Sequence, residues 1–259
     1  MSNSPVALIT GSTSGIGLAV AQGFAKAGYA VMLNGLGTPA QIDEARALVA
    51  AHGVAVDYHP ADLSQPEEIE AMVRATAARF GQIDVLVNNA GIQHTARVEA
   101  FPVDKWNAVI AINLTAAFHA QRLVLPSMQA RGQGRLINIA SVHGLVASVE
   151  KSAYVAAKHG ILGLTKVTAL ENAESGITCN AICPGWVLTP LVQKQIDARA
   201  ERDGLSNAEA ERALLAEKQP SLRFTRPDDI AAAALFLCSP AADNITGTTI
   251  TLDGGWTAR

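Results

Sequence analysis

Val6-Ala7-Leu8-Ile9-Thr10-Gly11-Ser12-Thr13-Ser14-Gly15-Ile16-Gly17 stands near the start of the chain and decides how the rest is read. Val6 to Thr10 is a continuous run of strand-forming residues, and after Gly17 a helical spacing of apolar residues continues to Lys26. A strand that passes through a glycine loop into a helix exposes backbone amides at the helix start, where the dipole favours negative charge. Glycines at 11, 15 and 17 would let a pyrophosphate approach those amides, with Thr13 and Ile16 on the same loop. The spacing is Thr-Gly-x3-Gly-x-Gly rather than Gly-x-Gly-x-x-Gly, so a mere tight turn is the competing reading of the loop by itself. The flanking strand and helix favour dinucleotide binding.

Downstream, Ala30 to Asn34 reads as a second strand, ending where an acidic residue would grip the adenosine ribose of NAD. Asn34-Gly35-Leu36-Gly37 offers no carboxylate there, and no lysine or arginine stands between 34 and 41 to meet a 2′-phosphate. NADP would lose its counter-charge and NAD only a hydrogen bond, so NAD is the expected cofactor. A helix from Pro39 to Ala51 and a strand from Val54 to Pro60 lead to Asp62-Leu63, where Asp62 suits either an adenine edge or a turn cap. Gln65 to Phe80 is helical, and Ile83 to Val87 is a strand running into Asn88-Asn89-Ala90-Gly91. This alternation implies an α/β fold: one domain over residues 1–259 with a doubly wound, Rossmann-like parallel sheet of about seven strands and helices on both faces. Ligands in such sheets bind beyond the carboxyl ends of the strands, where Gly11, Asn88, Ser141 and Pro184 all fall.

The composition narrows the class. At 259 residues, 49% apolar and 17% charged, the chain can bury a large core. A net charge of −3 without a basic tract excludes nucleic acid and anionic membrane surfaces as expected partners and favours small molecules. Three cysteines, two of them on one strand at 179 and 183 and so about 13 Å apart, do not make a disulfide framework. No leader pattern precedes the first strand, and the longest uninterrupted apolar run, Ile230 to Cys238, falls short of a membrane span. A cytoplasmic protein is expected, and no metal site is expected.

Chemistry gathers in Ser141-Val142-His143-Gly144 and in Lys151 through Lys158. Tyr154 and Lys158 are four apart and so share a helix face, while Ser141 follows the apolar strand Leu136 to Ala140. A phenol has an ordinary pKa of about 10, and bringing it to 7 needs roughly 4 kcal/mol of preference for the phenolate. An ammonium in a partly desolvated cleft acts in that direction. An ordinary surface pair is the alternative from spacing alone. Asn113 lies inside the helical stretch Val103 to Ala130, where its amide is expected to be satisfied by local backbone; a helix irregularity that holds water is the sharper reading. Residues 188–220 form two polar helical pieces that read as a lid over the cleft or as a solvated hairpin.

Taken together, Thr10-Gly11-x3-Gly15-x-Gly17, Asn88-Asn89-Ala90-Gly91, Asn113, Ser141, Tyr154-x3-Lys158 and Pro184-Gly185 resemble the short-chain dehydrogenase/reductase family over essentially the whole chain. The resemblance implies a catalytic tetrad of Asn113, Ser141, Tyr154 and Lys158, with Tyr154 as acid/base and Lys158 also holding the nicotinamide ribose. It further implies that Asn88, Asn89, Ala90, Gly91, Pro184, Gly185 and Val187 line the cofactor, that Thr189 meets its carboxamide, and that the protein assembles as a homotetramer. Within the family the likeness is to members that interconvert (R)-3-hydroxybutyrate and acetoacetate, carried by Gln93, His143, Lys151, Trp186, Gln195 and Trp256. Chemically, a carboxylate brought into a cleft needs a cation, which Lys151 supplies, and donors, which Gln93, His143 and Gln195 supply. Trp186 and Trp256 read as walls of that pocket or as packing anchors. A reductase of a neutral ketone or acyl thioester using NADPH, and a non-catalytic dinucleotide sensor, are the other functions this pattern admits.

Overall fold

The strand Val6–Ile9 (β1) lies inside a seven-stranded parallel sheet, and every one of its side chains is buried. A computed structural model describes residues 4–258. β1 is flanked on one side by Ala30–Asn34 (β2) and Val56–His59 (β3), and on the other by Val85–Asn88 (β4), Gly134–Ile139 (β5), Ile177–Pro184 (β6) and Thr249–Leu252 (β7). The order is β3-β2-β1-β4-β5-β6-β7, with parallel pairing throughout. The chain therefore reverses its direction of winding between β1 and β4, and the strand ends open a crevice at that point.

The strands are apolar at successive positions because both faces are covered. Ala7, Ile9, Val31, Leu33, Val85 and Val87 turn to one side, where they meet Gly15–Lys26 (α1), Pro39–Ala50 (α2) and, from near the C-terminus, Pro227–Cys238. Leu8, Met32, Leu86 and Leu136 turn to the other, onto Pro66–Phe80 (α3) and the long helix after β4. This period of two is what a strand imposes. Each fully buried leucine or isoleucine contributes about 2 kcal/mol of apolar transfer.

The long helix runs from Val103 to Arg131 as Val103–Ile110 (α4), a π-turn at Ala111–Thr115 and Ala116–Arg131 (α5). By length and composition this 29-residue stretch could cross a membrane, with a mean hydropathy of 1.4 in its most apolar window. Here Ala116, Ala120, Val124 and Met128 pack into the core beside Leu136.

Ser152–Glu171 (α6) follows β5, and Pro190–Asp203 (α7) and Asn207–Ala216 (α8) form the excursion expected at 188–220. The excursion has an apolar cluster of its own, Val192, Ile196, Ala200, Ala210 and Leu214, with Trp186 and Phe224 against it. A parallel bridge between Val187 and Thr225 ties its two ends together. The Pro227–Cys238 helix (α9) then packs across α1.

Candidate active site

The first loop shows why its residues are glycines. Gly11 and Gly15 have φ of 61° and 55°, and a Cβ on Gly17 would lie 2.2 Å from the Gly11 carbonyl oxygen, so the helix start can come this close only without one. Asn89 donates to the carbonyls of Thr10 and Gly11 at 2.9 Å, and the Thr10 hydroxyl accepts from the backbone N–H groups of Asn89 and Ala90. Asn89 thus lines the cleft while its amide braces the loop.

Asn34 has an occupation its sequence position did not disclose. It is fully buried; its Oδ1 accepts from the Gly11 N–H at 3.3 Å, and its Nδ2 donates to the carbonyls of His59 and Ala61. The residue at the ribose position is a stitch between β1, β2 and β3. Asp62 accepts from the Ser64 N–H through Oδ1, as a turn cap does, and also borders the cleft. Asn88 departs from expectation. Rather than lining the cofactor cleft, its amide turns inward and donates to Asn138 Oδ1 at 2.9 Å, within a buried network that includes Gln121 and Thr165.

One cavity of about 1050 Å³ runs along the strand ends. Every residue expected to touch cofactor or substrate borders it except Asn88. Asn113, expected in the tetrad, lies behind it, beside a pocket of about 10 Å³ that it shares with Thr10 and Asn88, room for no more than one water. The expectation of a locally satisfied amide is corrected: Asn113 sits in the π-turn, and both ends of its side chain bond the backbone of Ile92, 2.9 Å and 2.7 Å away. An inserted residue in the helix aims this amide across to the loop after β4.

At the other end of the cavity, β5 delivers Ser141 into a single turn, Val142–Gly144, in which Ser141 Oγ accepts from the His143 N–H. A Cβ on Gly144 would meet the Lys158 carbonyl oxygen at 2.6 Å, so glycine lets this turn press against α6. Tyr154 on α6 faces Ser141, and the His143 ring meets the Tyr154 and Trp256 rings edge-on at 5.9 and 5.5 Å. Lys151 precedes α6, with its Nζ 5.9 Å from the Trp186 ring. It follows Glu150, which is held at φ 62° and whose carbonyl accepts from the Ala96 N–H; a non-glycine residue there stores some strain. No described carboxylate forms a salt bridge with Lys151. Trp186 Nε1 is buried with no acceptor among the described residues. Gln93 and Gln195 border the cavity from opposite sides, one from the loop after β4 and one from α7, whose first turn Thr189 caps.

The electrostatics correct the simplest expectation. Burial holds the Tyr154 phenol above its ordinary value, the hydrogen bond from Ser141 opposes this, and the Cys183 thiol adds to it. Lys158 does not counter the burial: its Nζ lies 5.6 Å from the centre of the Tyr154 ring, donates to the Ile139 carbonyl at 2.8 Å, and is itself pushed down to about 8, chiefly by burial. The ligand-free cleft thus keeps Tyr154 as an acid. Burial, then Lys151, Lys218 and His159, push His143 down to about 4, so its imidazole is neutral. Lys151 is lowered by burial and by Lys218. The lysine at 218 and Ser148, which joins it to His143, were not singled out in the sequence, because a lone lysine and a loop serine carry no signal of their own.

Residues 11–257 match the family model described as enoyl-(acyl carrier protein) reductase. The chain is 56% identical, over the full length of both, to D-beta-hydroxybutyrate dehydrogenase of Cupriavidus necator, and 51% identical to the protein of the same name from Rhizobium meliloti over 98% of each. A crystal structure of actinorhodin polyketide ketoreductase with NADPH superposes with a TM-score of 0.92 at 36% identity, covering 100% of this chain and 99% of that one. With the glycine loop, the parallel order and the Ser141-Tyr154-Lys158 cluster in place, the chain belongs to the short-chain dehydrogenase/reductase family.

Proposed function

We propose that the protein is an NAD-dependent dehydrogenase that interconverts (R)-3-hydroxybutyrate and acetoacetate. The observation that carries this reading is the end of the cavity beyond Ser141 and Tyr154. There the ammonium of Lys151 stands without a carboxylate partner among the described residues, beside neutral His143 and the indoles of Trp186 and Trp256. A small acid is the ligand that such a pocket completes. The similarity to the two hydroxybutyrate dehydrogenases supports it.

The glycine loop fits a dinucleotide pyrophosphate, and among the described residues the rim at buried Asn34 and exposed Leu36 carries no cation for a 2′-phosphate, which supports NAD. When bound, the nicotinamide accepts or supplies the hydride. The substrate oxygen lies between the Ser141 and Tyr154 hydroxyls, and Lys151 with Gln93 and Gln195 orients the carboxylate. Tyr154 gives its proton to the carbonyl oxygen in reduction; in oxidation it first loses that proton and then takes the one from the alcohol. Lys158, fixed by the Ile139 carbonyl, holds the ribose side of the site, and Asn113 fixes the loop that carries Gly91 and Gln93.

Trp106, Phe118, Val167 and Leu170 remain exposed on α4, α5 and α6, which supports assembly of several copies, a tetramer by the family pattern; light scattering tests it. The free cysteines, Cys179 and Cys183 buried and Cys238 half-buried, with thiols pushed up to about 12, 11 and 12, suit a reducing compartment.

Initial rates with (R)- and (S)-3-hydroxybutyrate, a neutral secondary alcohol, NAD and NADP test the assignment. Lys151→Ala is expected to raise KM for the acid by at least roughly tenfold, the loss of one charge-assisted bond, and to leave the neutral alcohol unaffected. Unchanged hydroxybutyrate kinetics would refute the substrate.

A further inference from the structure

Lys218 stands outside the reading given so far. It lies just past α8 on the returning limb of the excursion, and it does not border the cavity. Its Nζ donates to Ser148 Oγ at 3.2 Å, and Ser148 Oγ lies 2.9 Å from His143 Nε2. On the other side of the ring, His143 Nδ1 is 3.4 Å from Ser141 Oγ, which also accepts the His143 backbone N–H and faces Tyr154, whose pKa it lowers against burial. A side-chain path thus runs from the excursion to the reacting phenol.

The direction of each bond follows from what each group can give. An ammonium has donors and no acceptor, so at Ser148 it is Lys218 that donates. A hydroxyl receiving a bond from a cation becomes a better donor and a poorer acceptor, which sends the Ser148 proton to Nε2. With Nε2 accepting, the neutral ring carries its proton on Nδ1, facing Ser141. Ser141 then receives two N–H groups of His143, and its own proton is left for the Tyr154 oxygen.

We propose that Lys218 is a positioning residue: through Ser148 it holds His143 in the Nδ1–H tautomer and so aims the Ser141 hydroxyl at Tyr154. This rests on Ser141 and Tyr154 being the reacting pair. It makes the packing of the excursion a condition for correct acid/base geometry, because without Lys218 the ring can exchange tautomers and turn the Ser141 proton away. The charged and titratable groups facing His143 are Lys151, Tyr154 and His159 from the α6 region and Lys218 from the excursion, and burial first, then the lysines, keep the ring neutral. Lys218 also lies 5.5 Å over the Trp256 ring, which steadies its stem.

Ring nitrogen-15 shifts of His143 in the ligand-free protein read the tautomer without any turnover. The wild type is expected to show one neutral form, protonated on Nδ1, at neutral pH. Lys218→Met, which keeps an apolar stem on Trp256, is expected to give mixed tautomers and a higher titration midpoint, and Lys218→Arg to restore the wild-type pattern. In parallel, kcat for (R)-3-hydroxybutyrate is expected to fall roughly five- to tenfold in Lys218→Met, the cost of about one hydrogen bond, with KM for NAD unchanged. Ser148→Ala is expected to reproduce both effects, and it decides the matter where Lys218→Met does not fold. An Nε2–H ring in the wild type, or a midpoint and tautomer unaltered by both variants, overturns the proposal even where kcat falls. A wild type that ignores hydroxybutyrate overturns the substrate assignment instead, and the ring shifts still decide the role of Lys218.

Discussion

Lys158→Met separates the burial of a charge from everything else that changes with pH. The Lys158 ammonium is 3% exposed, and its pKa falls from 10.5 to about 8 in the folded protein. Between those values the unfolded chain holds a proton that the folded chain has released, so stability attributable to this group rises with pH from about 8 and is lost as pH falls back through 8. Integrating that linkage gives almost nothing at pH 7 and about 2 kcal/mol by pH 9.5. Methionine leaves the Ile139 carbonyl without its donor, a cost of about 1–3 kcal/mol that does not vary with pH. The Cys179 and Cys238 thiols, raised above their ordinary value by burial, pull stability down above pH 9 in both proteins and drop out of the difference; Cys183, which feels the Lys158 charge, is pushed up to about 11 and stays largely protonated at pH 9.5. Urea unfolding of both proteins at pH 7 and 9.5, at one protomer concentration, measures the change. The wild type is expected to gain about 2 kcal/mol on the variant across that interval. An unchanged difference would mean that Lys158 titrates normally, and the account of its buried ammonium would be wrong.

The remaining predictions bear on the chemistry and the cofactor. Tyr154→Phe is expected to lower turnover by at least about a hundredfold while dinucleotide binding, followed by fluorescence quenching, persists. Because the free phenol is held above its ordinary value, kcat/KM for oxidation is expected to climb between pH 7 and 9, with reduction nearly flat over the same interval; a falling oxidation limb would refute Tyr154 as the base. Asn34→Asp supplies the ribose-gripping carboxylate missing from the sequence, yet it would face the His59 and Ala61 carbonyls inside the sheet edge. Loss of at least about 2 kcal/mol of stability and no gain in NAD affinity are expected, from denaturant unfolding and calorimetry.

The sheet was legible because buried parallel strands are rich in apolar residues: Val6–Ile9 and residues 30–33 are unbroken runs, and Ile177–Pro184 is apolar but for Thr178 and Asn180. The cluster at Ser141, Tyr154 and Lys158 was legible because helix spacing fixes i, i+4 neighbours and a strand end fixes the third. Three things were not. The π-turn around Asn113 depends on a tertiary pairing with Ile92, 21 residues away, that no local pattern encodes. The inward turn of Asn34 and Asn88 depends on which carbonyls and amides neighbouring strands bring beneath them. The failure of Lys158 to draw down Tyr154 is a matter of ångströms and solvent, since the same spacing would give the expected effect if the ammonium met the phenol oxygen instead of the Ile139 carbonyl.

The excursion between Val187 and Thr225 brings its own apolar cluster and enters and leaves the body of the protein at one bridged point. Such a segment is modular: it can be exchanged whole, or redesigned residue by residue, with little disturbance to the strand order that presents the glycine loop. One substrate contact, Gln195, thereby rides on a part of the chain that can vary without touching the loop that receives the electron carrier.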